Sequence, residues 1–354
     1  MSLSNFSRAI AATLVAGLTA GSPVVSRPQD ATGPVRERLN RVGSDLFSPT
    51  PHAAEAIQEL KAILAVAPDS PEAHMLLGIA YRAQGAPELM GEAVAELRHA
   101  LSLNPELTQA RLILARVYLD LARAARAREE LQAALQRLPD DLQLLTMLAE
   151  AERQLGNHKR AVELSRQVLA TNRNFLQARY YLGLALLDLQ QPADAVRELE
   201  VVAQSGANPK ETSLALGTAY LEAGRATEAI GALRTAAELD ANSPEPRIRL
   251  ARAYRVSGRL TDAAGELELA RASAVASLAA LSALIPARAR SVEAALELED
   301  GLVNLQRGRI EAAAAAFERA LAADATHEEA TRRLADARKR LQQRTQKKQP
   351  GEPR

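Results

Sequence analysis

The stretch KETSLALGTAYLEAGRATEAIGALRTAAELDANS, Lys210 to Ser243, decides the fold. Leu216, Gly217 and Tyr220, then Ala229, Leu233, Ala236 and Ala237, bring apolar or small residues back at spacings of three and four, the period of a helix buried along one face. The pattern occurs twice. Gly224 and Arg225 separate the two runs, glycine giving the backbone freedom that a reversal after a helix end demands. The segment therefore predicts a helical hairpin. Gly217 and Ala229 stand where the paired helices must come close, since a larger side chain there would force the axes apart. Leu216, Tyr220 and Leu233 fill the remaining space.

The same residue types return every thirty-four positions from Thr108 to Ser277. Ala127, Ala161, Ala195, Ala229 and Ala263 set the phase. Ahead of each lies a leucine (Leu114, Leu148, Leu182, Leu216, Leu250), and the next residue is always small (Ala115, Ala149, Gly183, Gly217, Ala251). A fixed period in the range of about 20 to 50 residues marks a stacked repeat protein, which grows in one dimension by adding identical units.

These positions resemble the tetratricopeptide repeat, whose pattern carries Leu, Gly or Ala, Tyr, Gly, Ala, Phe or Leu, Ala and Pro at the same offsets. Upstream, Pro71 to Glu106 fits through Leu77, Gly78, Tyr81, Gly85, Ala93, Leu97, Ala100 and Pro105, with three extra residues in the turn around 86–91. Ala56, Leu60, Ile63, Leu64 and Pro68 read as a second helix, and its partner, about 35–47, as the poor first helix of a degenerate opening repeat. Late in the chain, 294–326 fits through Gly301, Gly308, Ala313, Phe317 and Ala320. There Asp300 and Asn304 replace Leu and Tyr and leave the register of that first helix open. The resemblance implies an all-α, right-handed superhelix, an α-solenoid of about eight helical hairpins with a C-terminal capping helix. Repeats one to seven occupy 35–275, the eighth 294–326 and the capping helix 327–344, where Ala330, Leu334, Ala337 and Leu341 share a face.

Three segments lie outside the phase. MSLSNFSRAIAATLVAGLTAGSPVVS (1–26) has one arginine, an uncharged run and then small residues, the layout of a secretory signal peptide with an apolar core short for a membrane span. Residues 27–34 read as a linker. Export to a bacterial periplasm is expected, the alternative being a cytoplasmic chain with a fortuitously apolar leader. The Ala/Ser-rich insert 276–293 breaks the phase; its composition favours a helix that Pro286 ends or kinks, either an extra packing helix or a bend between two arms. From Arg332 to Arg354 nine basic residues face two acidic ones, and 345–354 reads as a disordered basic tail. Contact of that tail with an anionic membrane surface is the lesser expectation beside a solvated charged cap.

Composition narrows the function classes. The chain of 354 residues has no Trp, no Cys and 3% aromatics, so its core is built of Ala and Leu. Without cysteine there is no disulfide, thiolate nucleophile or thiolate metal site. Forty-four basic and forty-three acidic residues nearly cancel, so nucleic acid is not an expected partner. The five histidines, His52, His74, His99, His158 and His327, are scattered, and no zinc-protease, phosphate-loop, dinucleotide or nucleophile-elbow motif occurs. No catalytic residue, cofactor or metal is expected, and the chain is not read as an enzyme.

Shape remains. The resemblance implies that first helices line a concave groove, and it assigns as groove residues Arg82, Arg116, Met147, Tyr180, Tyr181, Leu184, Arg249, Arg252 and Arg255. Tyr and Arg are frequent interface anchors, and Met adapts to varied partners. The clamp by which chaperone adaptors of this family hold a terminal carboxylate is not expected: Met75, Ile79, Ile113 and Met147 are apolar where the clamp is polar. The expected function is a non-catalytic scaffold or adaptor binding a peptide or partner helix in its groove. The alternative is a non-catalytic subunit of an envelope, secretion or glycan-assembly machine, docking through its convex face or basic tail.

Overall fold

A computed structural model of the protein describes residues 33–48 and 51–348, with backbone alone at 275–284 and 345–348. These residues form seventeen α-helices and no strand. The signal-peptide segment 1–26 and most of the linker lie outside the described residues, as do residues 349–354 of the tail.

The chain divides into two units at Gln190 and Gln191. In the first, α1 (Gly33–Leu46) pairs with α2 (Ala53–Val66), α3 (Pro71–Gln84) with α4 (Leu89–Leu103), α5 (Thr108–Asp120) with α6 (Ala124–Leu135), and α7 (Leu142–Gln154) with α8 (His158–Thr171), before α9 (Leu176–Asp188). In the second, α10 (Pro192–Gln204) is followed by α11 (Pro209–Glu222) paired with α12 (Ala226–Leu239), α13 (Pro244–Val256) with α14 (Leu260–Leu284), α15 (Pro286–Gln306) with α16 (Ile310–Ala323), and finally α17 (Glu328–Lys348). Each is a stack of hairpins in which every helix packs on the next, and first helices also touch the first helix one hairpin on.

The repeat phase becomes the core. Ala127, Ala161, Ala195, Ala229 and Ala263 all have zero exposed surface, and the leucines ahead of them are buried. Gly217 lies so close to α12 that a Cβ built on it would meet Leu233 Cγ at 2.5 Å. The turn between helices repeats as well. Ala122, Gly156, Gln190, Gly224 and Gly258, one period apart, all adopt left-handed φ, of 54, 81, 58, 75 and 76° respectively. The geometry therefore persists even where the sequence lacks the glycine that suits it.

The insert and the doubtful register resolve together. Residues 276–284 lengthen α14 and 286–293 lengthen α15, so the extra length goes into the two helices flanking the proline rather than into an additional helix. Pro286 sits in the first turn of α15, where its missing N–H breaks no helical bond. Gly301 lies against the Phe317 ring, which confirms the register. Asp300, in the leucine position, meets Arg271 at 2.9 Å and Arg319 at 3.3 Å, so charge pairing replaces apolar packing there. At the C-terminus α17 buries Ala330, Leu334 and Ala337 over Phe317 and Leu302, with Leu341 packed beside them. This helix runs to Lys348, four residues into the segment expected to be a disordered tail.

In the first unit the seams between first helices carry ion pairs. Arg82 Nε on α3 donates to Asp120 Oδ2 on α5 at 2.7 Å, and Arg153 Nη1 on α7 donates to Asp188 Oδ2 on α9 at 3.0 Å. Between them Arg116 on α5 donates through both Nη atoms to the Glu150 carboxylate on α7. Arg116 and Glu150 are 7% and 8% exposed. Burial works against the Arg116 charge, but the Glu150 and Asp120 carboxylates outweigh it and hold the guanidinium protonated.

Two outcomes follow for thermal unfolding monitored by circular dichroism. Ala122→Gly should raise the midpoint: relief of a left-handed alanine, at about 1–2 kcal/mol, exceeds the entropy that glycine loses, about 0.5–1 kcal/mol. A lowered midpoint would contradict the strain. Glu150→Ala should destabilise by about 3–5 kcal/mol, because it strands a buried guanidinium, and adding Arg116→Met should recover most of the loss. A single variant as stable as the parent would show that the pair is solvated.

Candidate functional site

The groove residues expected from sequence divide between interior and surface. Met147 is completely buried, and Arg116 and Tyr181 are 7% and 9% exposed, so these three do not offer the groove surface expected of them. The physical reason is the seam. The first helices α5, α7 and α9 pack directly on one another, and residues turned toward the next hairpin are covered by it. Burial first, and the Glu150 carboxylate next, push the Tyr181 phenol well above its ordinary pKa. Tyr180 and Leu184 remain partly exposed, and the Tyr180 ring meets Tyr181 edge to face with centroids 5.4 Å apart. Arg82 is half-buried and engaged with Asp120. On the first-helix face of this unit the Arg82, Arg116 and Arg153 charges are thus answered internally.

The second unit differs. Arg249, Arg252 and Arg255, expected together from α13, line one cavity of about 320 Å³. Helix α15 contributes Ser291, Val292, Ala295, Leu298, Glu299 and Leu302 to its walls, and Glu329 of α17 closes one edge. Ile248, Leu298 and Leu302, buried at 6–8% exposure, give it an apolar floor. The lengthened N-terminal half of α15 supplies Ser291 and Val292, so the cavity depends on the insert.

The arginines are held from below. Arg255 donates through Nε and Nη2 to the buried Glu299 at 2.8 and 3.3 Å, a fork-on-carboxylate pair that fixes its guanidinium plane. Arg249 donates to Glu245 Oε1 at 2.9 Å and to Thr218 Oγ1 at 3.1 Å. Arg252 reaches Glu222 of α11 at 3.1 Å while its side chain stays 43% exposed. Arg288 shares Glu245 at 3.4 Å. Burial opposes the Glu245 charge, but Arg249 and then Arg288 prevail and hold its carboxyl below the usual range. Glu245, one helical turn before Arg249, was legible as an i, i+4 partner. Glu299 and Arg288 were not, because the insert removes the phase that would have aligned them.

Chemically, this arrangement can bind a group with apolar and anionic parts. Among the described residues no group of three or more His, Asp or Glu side chains is placed to hold a metal ion, and no helix is long and apolar enough to cross a membrane.

Comparison with known proteins follows the same lines. Family models described as tetratricopeptide repeat match residues 52–89 and 146–210 in one form and 220–285 in another. A chain of the APC/C hetero-tetramer Cut9–Hcn1 superposes with a TM-score of 0.62 at 16% identity, over 85% of this chain and 55% of that one, so the protein spans about half the length of that relative. A tetratricopeptide repeat protein from Parabacteroides merdae superposes with a TM-score of 0.53 at 16% identity, over 75% of this chain and 98% of its own. At such identities the likeness concerns the fold alone. No curated protein sequence matches. Hairpins of this period, spaced by glycine and alanine at the family's own positions and matched by its models in three stretches, make the chain a tetratricopeptide repeat protein.

Proposed function

We propose that the protein is a non-catalytic scaffold that is exported and that holds a peptide or a helix of a partner against the first-helix face of its second unit. The tetratricopeptide fold suggests protein–protein interaction in general. The observation that favours this particular face is the cavity where Arg249, Arg252 and Arg255 stand over Ile248, Leu298 and Leu302. Arginine above an apolar floor combines charge with desolvated contact area, the pairing that anchors most interfaces. Tyr180 and Leu184 offer a smaller apolar contact on the first unit. Export rests on the sequence of residues 1–26.

A second reading has one observation of its own. The outer face of α17 exposes Arg332, Arg338, Lys339, Arg340 and Arg344, a basic surface suited to docking on an assembly or an anionic membrane. The two readings separate by site-specific photo-crosslinking in cells. A crosslinker placed at residue 292, on the cavity wall, should trap a discrete protein partner, and one at 339 should not. Capture from 339 alone would favour the docking subunit and sink the groove scaffold. For the compartment, residues 1–34 fused to a reporter active only outside the cytoplasm should give activity; a silent fusion would overturn export.

A further inference from the structure

We infer that the arginine-lined cavity receives a side-chain carboxylate from an acidic peptide segment with neighbouring apolar residues, and that Glu245 is the built-in competitor for that carboxylate. The inference rests on the reading that this face binds a partner, and it adds the partner's chemistry and a restraint on its binding.

Four guanidiniums gather here: Arg249, Arg252 and Arg255 line the cavity, and Arg288 reaches its edge through Glu245. Three carboxylates answer them. Glu299 is occupied by Arg255 through two contacts of 2.8 and 3.3 Å, and Glu222 meets Arg252 at 3.1 Å. Glu245 alone is left for both Arg249, at 2.9 Å, and Arg288, at 3.4 Å. Glu329, the remaining acid at the cavity, is engaged by Arg333 at 3.3 Å. The Nε–H of Arg249 is buried and finds no acceptor. Two guanidiniums on one carboxylate, with a donor unused, form a site short of one acceptor group. A carboxylate supplies it with the planar geometry that a guanidinium fork matches, whereas an ammonium would face four like charges.

The apolar floor of Ile248, Leu298 and Leu302 then sets what flanks the carboxylate. An aliphatic side chain beside the acid covers that floor, which a free anion in water would leave exposed. Because Glu245 already holds Arg249 at 2.9 Å and Arg288 at 3.4 Å, an incoming acid must share or displace it. Removing the Glu245 charge should therefore strengthen binding of an acid, a sign that loss of folding cannot imitate.

The test uses the full chain and a fluorescent, terminally blocked peptide of alternating Leu and Glu, with binding read by anisotropy. Glu245→Gln should tighten binding by about tenfold and Arg252→Ala should weaken it by about tenfold, the scale of one charge-assisted contact. Binding should also weaken as salt rises. A Leu–Lys peptide should not bind, and a Leu–Gln peptide with a free C-terminal carboxylate should bind less well than Leu–Glu. Weakened or unchanged binding in Glu245→Gln, equal binding of the lysine peptide, or preference for the free chain end would overturn the inference. So would failure of the Leu–Glu peptide to bind while the residue 292 crosslink persists, and then the scaffold reading stands without this chemistry. Loss of the crosslink itself would count against the scaffold.

Discussion

The distance between the two helices of a hairpin governs this molecule. A Cβ built on Gly217 would stand 2.5 Å from Leu233 Cγ, and one on Gly78 would stand 2.7 Å from Leu97 Cγ. Such contacts are repulsive, so glycine is what lets a leucine of the second helix press onto the backbone of the first. In other repeats Ala115 and Ala251 hold the small position in the same register against Leu131 and Leu267. Phe317 is wider, and its opposite number is Gly301. A small residue on the first helix thus faces a large one on the second in each of these hairpins, also outside 108–277, where the thirty-four-residue phase does not hold.

Stacking places residue i beside the residue one period on, and this decides where charge can be buried. Arg116 and Glu150 are one period apart and meet across the seam of α5 and α7. The desolvation of each is compensated by the other, with little net gain over an apolar pair, but the pair specifies which helix face meets which. Arg82 with Asp120, and Arg153 with Asp188, work in the same way at more exposed positions. On the first unit these arginines hold hairpin to hairpin, and a partner meeting that face finds fewer unanswered charges.

The hairpins, the small positions and the capping face of Ala330, Leu334 and Ala337 were legible, because each follows from periodicity within one or two helices, whereas Asp300 and Asn304 left the register through Gly301 open. What failed to show was anything set by the neighbour on the far side. Met147 on α7 and Tyr181 on α9 are surface residues on isolated first helices and interior residues once the neighbouring helices pack against them. The repeat pattern cannot distinguish those two states, since it records spacing along the chain and not the depth of the seam. Asp300 was unreadable for a related reason: its partners Arg271 and Arg319 sit on two different second helices. The arginines of α13 were foreseen as a group, while Glu299, the carboxylate under Arg255, was hidden by the insert.

That insert explains why the second unit has a cavity where a regular repeat would have a seam. One period after Arg249, Arg252 and Arg255 come Ala283, Pro286 and Ala289, none of them acidic, so the phase itself provides no ion-pair ladder. Lengthening α14 and α15 moves the next hairpin's small position on to Gly301 and brings Glu299 under Arg255. Only that one arginine recovers a dedicated carboxylate on α15. Arg252 turns back to Glu222, Arg249 to Glu245 of its own helix, and the extra turns of α15 wall off the space between with Ser291, Val292 and Ala295. At the point where the period is interrupted, the second unit thus acquires a recess whose arginines share too few carboxylates.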